Sequence, residues 1–412
     1  MCTNSILLYS ISKPFIDGKI KRLIFTMLML CASLNYFTHE GGNLTESYTL
    51  TFQLIAFYLA VRYYQSEDVK HSPAFMFLHG LCVGVVLMLR ANMIAMWGAA
   101  TIVIGWRLLS HKEYKNFFAN LSAGLTGVIV ALVPPVVYLI STGSFSYMIN
   151  DYILFNLSYS GSENFLQKLV STYASVIGSI MLFFTIITIL SMIIFICSSS
   201  KCSMKIMFVL AYTFSFLALL LSGRGYPHYF EILIPFLIPL MIFLVNNVQV
   251  QQIDFTRSAF HKVTGIFIMF IITIYGNFLT PVALFSGKVE NLSRFYEELS
   301  SRYNENMTVL STGNRAMFFN KLNIIPEKRY FYIPGISYSK YPFAIDMQAE
   351  SILHNENDII IVNYNIEIKN GSKLIFHSYY NYPHNDELMS HLTQNYELMF
   401  EDRERQLWIK KH

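Results

Sequence analysis

Ser222-Gly-Arg-Gly-Tyr-Pro-His-Tyr-Phe230 lies between two long apolar runs, Ile206–Leu221 before it and Ile232–Val245 after it. A guanidinium, an imidazole, two glycines, a proline and two tyrosines therefore meet at the edge of two greasy segments. Charge in that position needs water, a counter-ion or a lipid head group. Taken singly, each residue has an ordinary reading: Arg224 as a snorkelling anchor, His228 as a turn residue, the tyrosines as an interfacial belt. Their clustering is what marks the stretch.

The same alternation of apolar run and polar edge extends through most of the chain. Of 412 residues, 54% are hydrophobic and 14% charged, where a soluble domain averages about 25% charged. This composition is that of an α-helical polytopic membrane protein. The expected spans are Leu23–Phe37, Tyr48–Val61, Pro73–Leu89, Met93–Leu109, Phe117–Ile140, Val170–Cys197, Ile206–Leu221, Tyr229–Val245 and Val263–Phe285. A kink is expected at Pro134-Pro135. Nothing near Met1 has the pattern of a cleavable leader, so the helices themselves are expected to direct insertion. The five cysteines lie in or beside apolar segments and form neither a disulfide framework nor a metal knuckle. No metal, cofactor or nucleic-acid partner is expected.

Positive residues orient the spans. With the first basic loop cytoplasmic, Lys13, Lys19, Lys21, Arg22, Arg62, Lys70, Arg107, Lys112, Lys115, Lys201, Lys205, Arg257 and Lys262 share one side. The outer loops hold Arg90, Lys168 and Arg224. The N-terminus is then cytoplasmic, and residues 287–412 follow the membrane domain (1–286) on the outside. That last region changes character. Short strands are expected at Thr308–Ser311, Tyr330–Ile333, Asp358–Val362 and Leu407–Ile409, with helical patterns at Arg315–Leu322 and Ile345–His354, which suggests a small α/β domain.

Four outer patches hold the suggestive polar residues. His39, Glu40, Asn43, Thr45 and Glu46 form the first; a carboxylate there can act as base, or Thr45 or Asn43 can cap a helix with Glu46 in its first turn. Arg90 with Asn92 is the second: the arginine can grip a phosphate with two donors or simply anchor an interface. The third, around Asp151, Asn156 and Tyr159, is rich in amides and aromatics that suit a sugar, and its ordinary reading is a polar outer loop turning at Gly161. The fourth is Ser222–Phe230, with Arg224, His228 and Tyr229. Together they describe an outer pocket with two cationic side chains, several amides and few acids, which fits an anionic lipid head group carrying a polar substituent. The spans contain almost no Asp, Glu or Lys, unlike proton pumps and ion carriers.

Four runs carry a resemblance to a known family: Glu40-Gly-Gly-Asn-Leu-Thr-Glu-Ser-Tyr-Thr-Leu50, Leu87-Met-Leu-Arg-Ala-Asn-Met-Ile94, Tyr152-Ile-Leu-Phe-Asn-Leu-Ser-Tyr-Ser160 and Ser222–Phe230. In their order and topology they resemble the bacterial polytopic glycosyltransferases of the GT-C class, similar to protein O-mannosyltransferases and lipid A aminoarabinose transferases. The resemblance implies an inner-membrane enzyme that transfers a sugar from a polyprenyl-phosphate donor to an acceptor on the outer face. It also implies that Arg224 and His228, with Arg90, hold the lipid phosphate and stabilise charge on it as it departs. Asp151, Asn156 and Tyr229 are then candidates for sugar or acceptor contact.

One departure stands out. The family's essential acid lies in the first outer loop, and the only acid before His39 is Asp17, on the cytoplasmic side. Glu40 and Glu46 are the substitutes within reach for a general base. Three readings stay open: a GT-C-type transferase, whole or lacking its catalytic loop; an envelope polysaccharide polymerase or ligase; and a non-catalytic or relic protein that binds lipid-linked sugar.

Overall fold

The computed structural model describes residues 2–35, 38, 44–66, 68–156, 164–177, 179, 181–222, 226–247, 293–313, 317–333, 338, 339, 341–363, 382–402 and 405–411. By contact the chain divides into two units, Met1–Ser146 with Glu163–Ser286, and Tyr147–Ser162 with Gly287–His412.

The first unit is helical. Its elements are α1 (Cys2–Ser12), α2 (Lys19–Ser33), α3 (Thr45–Gln65), α4 (Pro73–Arg90), α5 (Ala95–Ser110) and α6 (Tyr114–Ser141). Past the short α7 (Phe145–Met148) come α8 (Phe165–Ile177), α9 (Met181–Cys197), α10 (Cys202–Leu220), a 3-10 helix (Pro227–Leu237) and α11 (Ile238–Asn247). Four stretches are long and apolar enough to cross a membrane: Pro73–Ser110, Tyr114–Ser141, Cys202–Leu220 and Pro227–Asn247. The pair Phe165–Ile177 and Met181–Cys197 passes together as a broken span. The expected span Val263–Phe285 lies outside the described residues.

Contacts at the helix ends show that Pro73–Ser110 doubles back. Helices α4 and α6 run parallel: a Cβ on Gly80 would overlap the Gly124 carbonyl oxygen, and one on Gly127 would overlap that of Phe77. Such backbone contact is open only to glycine, and stripes of small residues make it a common device between membrane helices. At the shared start of α4 and α6, Asn116 and Asn120 bracket the backbone and ring of His71. Arg107, near the end of α5, donates to the Asp68 carbonyl at 3.3 Å, beside that same start. So α5 returns to the end from which α4 departed. The reversal sits at Arg90, whose extended backbone (φ −161°, ψ 97°) interrupts the helix.

Two expected spans are broken. The expected helix Val170–Cys197 stops at Ile177, where the sequence places Gly178-Ser179, and the Ser179 hydroxyl accepts from the Met181 N–H at 3.2 Å to start the next helix. The expected α-helix Tyr229–Val245 begins instead as a 3-10 helix, with Pro227 at its first turn and Pro235 inside it. The Pro239 ring disfavours an α-helical carbonyl at residue 235. Ser191 of α9 fills the gap: its hydroxyl donates to the Phe236 carbonyl at 2.6 Å and accepts from the Leu240 N–H at 3.0 Å. Pro134 and Pro135, where a kink is expected, lie inside α6.

The second unit is built on a four-stranded sheet of order β1-β2-β4-β3, comprising β1 (Val309–Ser311), β2 (Ile359–Asn363), β3 (Tyr396–Glu401) and β4 (Arg405–Lys410). The β1–β2 pair is parallel and the others antiparallel. Strand β2, Ile-Ile-Ile-Val-Asn, is buried along its whole length, as a central strand covered on both faces should be. One face packs Leu310 and Ile360 against Ile345 and Ile352 of α14 (Pro342–Leu353) and Leu388 and Leu392 of α15 (Asn385–Asn395). The other packs Val309, Ile361 and Leu407 against Phe295 and Leu299 of α12 (Ser293–Arg302) and Phe318 of α13 (Met317–Lys321). Tyr330–Ile333, expected as a strand, is a turn segment tied to β1 by two backbone bonds, Ser311 N–H to Phe331 O and Ile333 N–H to Gly313 O. Asp151, expected in a polar loop, lies on a wide π-helical turn, Ile149–Leu154.

Candidate functional site

In the first unit, polar side chains converge at the end of the bundle opposite Arg107. Helix α3 starts there with Glu46 in its first turn, α4 ends there with Arg90, and the 3-10 helix starts there with His228. The 3-10 geometry matters. With three residues per turn, positions i and i+3 eclipse, so His228 and Glu231 share a face. That face meets the first turn of α3: His228 Nε2 stands 3.7 Å from Glu46 Oε1, and the Ser47 hydroxyl donates to Glu231 at 2.9 Å.

Glu46 is the hub. Its side chain is 2% exposed, against 20% for Arg90 and 19% for His228. Its Oε1 pairs with the Arg90 guanidinium, and its Oε2 accepts from the Thr45 hydroxyl at 2.8 Å. A buried carboxylate needs such partners, and the positive end of the α3 dipole adds to them. Arg90 is fixed from two more directions: its Nε donates to Asn92 Oδ1 at 3.2 Å, and its guanidinium lies 3.9 Å from the centre of the Tyr229 ring. His228 is held edge-on by Tyr229 and stacked on Tyr226, with ring centres 4.7 and 5.5 Å apart. The result is a guanidinium and an imidazole, each partly open, above a carboxylate that is closed off. Such a surface can receive an anion through Arg90 and His228.

The structure thus brings together Glu46, Arg90, His228 and Tyr229 from the sequence-predicted set. Arg224 and Glu40 lie outside the described residues. The N-cap of α3 is Leu44, with no side-chain cap bond, rather than Thr45; Asn43, the other expected cap, is outside the described residues. Glu231 was missed by sequence reasoning. It is fully buried, and the available signal was a lone carboxylate inside an apolar run, three residues after His228.

Asp151 and Asn156, expected to contact a sugar, belong to the second unit. Asp151 is engaged within it. Arg329 donates to both carboxylate oxygens at 2.8 and 3.1 Å, and Tyr330 and Tyr341 donate to Oδ1 at 2.7 and 3.3 Å. Burial pulls the Asp151 pKa upward, but the Arg329 and Tyr330 hydrogen bonds and the Arg329 charge outweigh it and hold the carboxyl below its ordinary value. Asn156 turns its amide onto the Tyr152 carbonyl. Among the described residues no group of three or more His, Cys, Asp or Glu is arranged to hold a metal ion.

No protein-family model and no curated protein matches the chain. Among solved structures, the chain is similar to the crystal structure of ArnT from Cupriavidus metallidurans bound to undecaprenyl phosphate. The TM-score is 0.51 at 11% identity, covering 98% of this chain and 82% of that one. At that identity the likeness is one of fold. With its long apolar helices, the chain is an integral membrane protein whose fold is similar to that of ArnT.

Proposed function

We propose that the chain is a GT-C-type membrane glycosyltransferase that moves a sugar from a polyprenyl-phosphate donor to an acceptor on the outer face of a bacterial inner membrane. The observation that carries this reading is the Arg90–His228 pair, held over the buried Glu46 at one end of the bundle, in a fold similar to that of a protein bound to undecaprenyl phosphate. Arg90 and His228, with Arg224 four residues before His228 in sequence, would take the lipid phosphate. Glu46 and the Tyr229 ring keep the guanidinium in place, so its orientation is set before the ligand arrives. As the sugar leaves the phosphate, negative charge grows on the departing oxygens, and the Arg90 guanidinium and the His228 imidazole would stabilise it. Support for the orientation comes from the other end of the bundle, where Lys21, Arg107 and Lys201 bond the carbonyls of Asn246, Asp68 and Ser66; basic residues favour the cytoplasmic side. The second unit would then stand outside.

One observation favours the binding-only alternative. The described carboxylates at this end, Glu46 and Glu231, are both buried and hydrogen-bonded, so neither is a ready base. Proteoliposomes given a polyprenyl-phosphate-linked radiolabelled sugar and crude membrane acceptors separate the two readings. Release of label from the lipid, lost in Arg90→Ala, supports transfer. Lipid binding without release supports the binding protein.

A further inference from the structure

The opposite end of the first unit carries a feature with no part in that chemistry. A groove of about 580 Å³ opens there, within the ~300–1,000 Å³ range of ligand pockets. Its walls are apolar, with Ile11 of α1, Val61 of α3, Ile194 of α9 and Ile242 of α11 among them, while its rim is polar, formed by residues 198–200 (three serines) and by Asn246. Two lysines are tied to that rim. Lys21 donates to the carbonyl of Asn246, which lines the groove, at 3.4 Å. Lys201 follows Ser200, which also lines it, and donates to the Ser66 carbonyl at 3.1 Å. An ammonium group has three donors and no acceptor. Among the described residues, each lysine gives one N–H to a carbonyl near a helix C-terminus.

We propose that this groove is a binding site for an acidic phospholipid, with an acyl chain against the apolar wall and the phosphate between Lys21 and Lys201. Charge at the rim selects this occupant. The distal end of a polyprenyl tail is uncharged and would leave both ammonium groups without an anion. A neutral phospholipid brings its own cation to an edge that Lys21 and Lys201 already flank. The site is separate from the Arg90–His228 cluster, and this inference does not rest on the proposed transfer reaction.

Native mass spectrometry of the delipidated full chain, titrated in turn with phosphatidylglycerol, phosphatidylcholine and polyprenyl phosphate, tests it. The expected result is preferential retention of phosphatidylglycerol, weakened by roughly five-fold for each lysine removed in the Lys21→Gln/Lys201→Gln double variant and preserved in the Lys21→Arg/Lys201→Arg variant. Ile242→Trp, which fills the wall and leaves the lysines alone, should also weaken phosphatidylglycerol and leave polyprenyl phosphate unaffected. Unfolding temperatures of the variants confirm that each is folded. Equal retention of the two phospholipids, phosphatidylglycerol binding unchanged in the double Gln variant, or loss of polyprenyl phosphate rather than phosphatidylglycerol in Ile242→Trp would each overturn the proposal.

Discussion

Glu46 in the first turn of α3 and Arg90 at the last residue of α4 form an ion pair in which the carboxylate is buried and the guanidinium keeps a partly open face. The burial makes the pair asymmetric under mutation. Removing Arg90 leaves a buried carboxylate unpaired, which costs about 3–5 kcal/mol in comparable cases. Glu46→Gln keeps shape and hydrogen bonding and should retain the fold. It also loosens the guanidinium, so lipid-phosphate affinity should fall by about ten-fold, one charge-assisted contact. Thermal unfolding beside a binding titration distinguishes the two variants.

Glu231 ties the 3-10 helix to α3 through Ser47. Ser47→Ala removes a donor from a buried carboxylate and should destabilise the chain by about 1–3 kcal/mol. Glu231→Gln should be milder than Glu231→Ala. The reverse order in unfolding temperature would mean that Glu231 is tolerated there rather than used.

Gly80 sets the approach of α4 to α6. A Cβ there would overlap the Gly124 carbonyl, and backbone gives way less readily than a side chain. Gly80→Val should therefore cost more than the ~1–3 kcal/mol of ordinary overpacking. The expected outcome is loss of monodisperse protein on size-exclusion chromatography, whereas Gly105→Ala, which faces the Phe117 ring, should be recovered.

In the second unit, the sign of the pH dependence follows from Asp151, whose carboxyl is held below its ordinary value. An acid depressed in the folded state contributes stability that is fully present above its unfolded pKa. That contribution is lost as pH falls through the folded value. Asp151→Asn should flatten this acid limb, which begins near pH 4. At neutral pH it should cost only about 1 kcal/mol, because the pair is partly solvated. Hydrogen exchange across Ile359–Asn363, compared between variant and wild type at each pH, reads the difference.

Much of the site was legible because its chemistry is local. Arg90, His228, Tyr229 and Glu46 each sit at the edge of an apolar run, and an edge is visible in composition. Glu231 was legible only as a lone carboxylate inside an apolar run; its partner Ser47 lies 184 residues away and is brought to it by packing. The partners of Asp151 were hidden by distance, since Arg329 lies 178 residues away. Strand β2 announced itself as an unbroken apolar run, whereas β3, exposed along much of its length at the sheet edge, left no pattern. The turn at Tyr330–Ile333 looked like a strand because it is an apolar run, of which Tyr330 and Ile333 are buried, and its backbone bonds the end of β1. The reversal between α4 and α5 was expected from Arg90-Ala-Asn92, where a polar interruption splits an apolar stretch too long for one crossing.

Arg90 and His228 are proposed to hold a lipid phosphate. The most direct test is the affinity of the purified full chain for polyprenyl phosphate, measured in nanodiscs for wild type, Arg90→Lys, His228→Gln and the double variant. The expected result is a loss of at least about ten-fold for each single variant and a larger loss for the double, with unfolding temperatures close to wild type. Wild-type affinity retained in the folded double variant would contradict it.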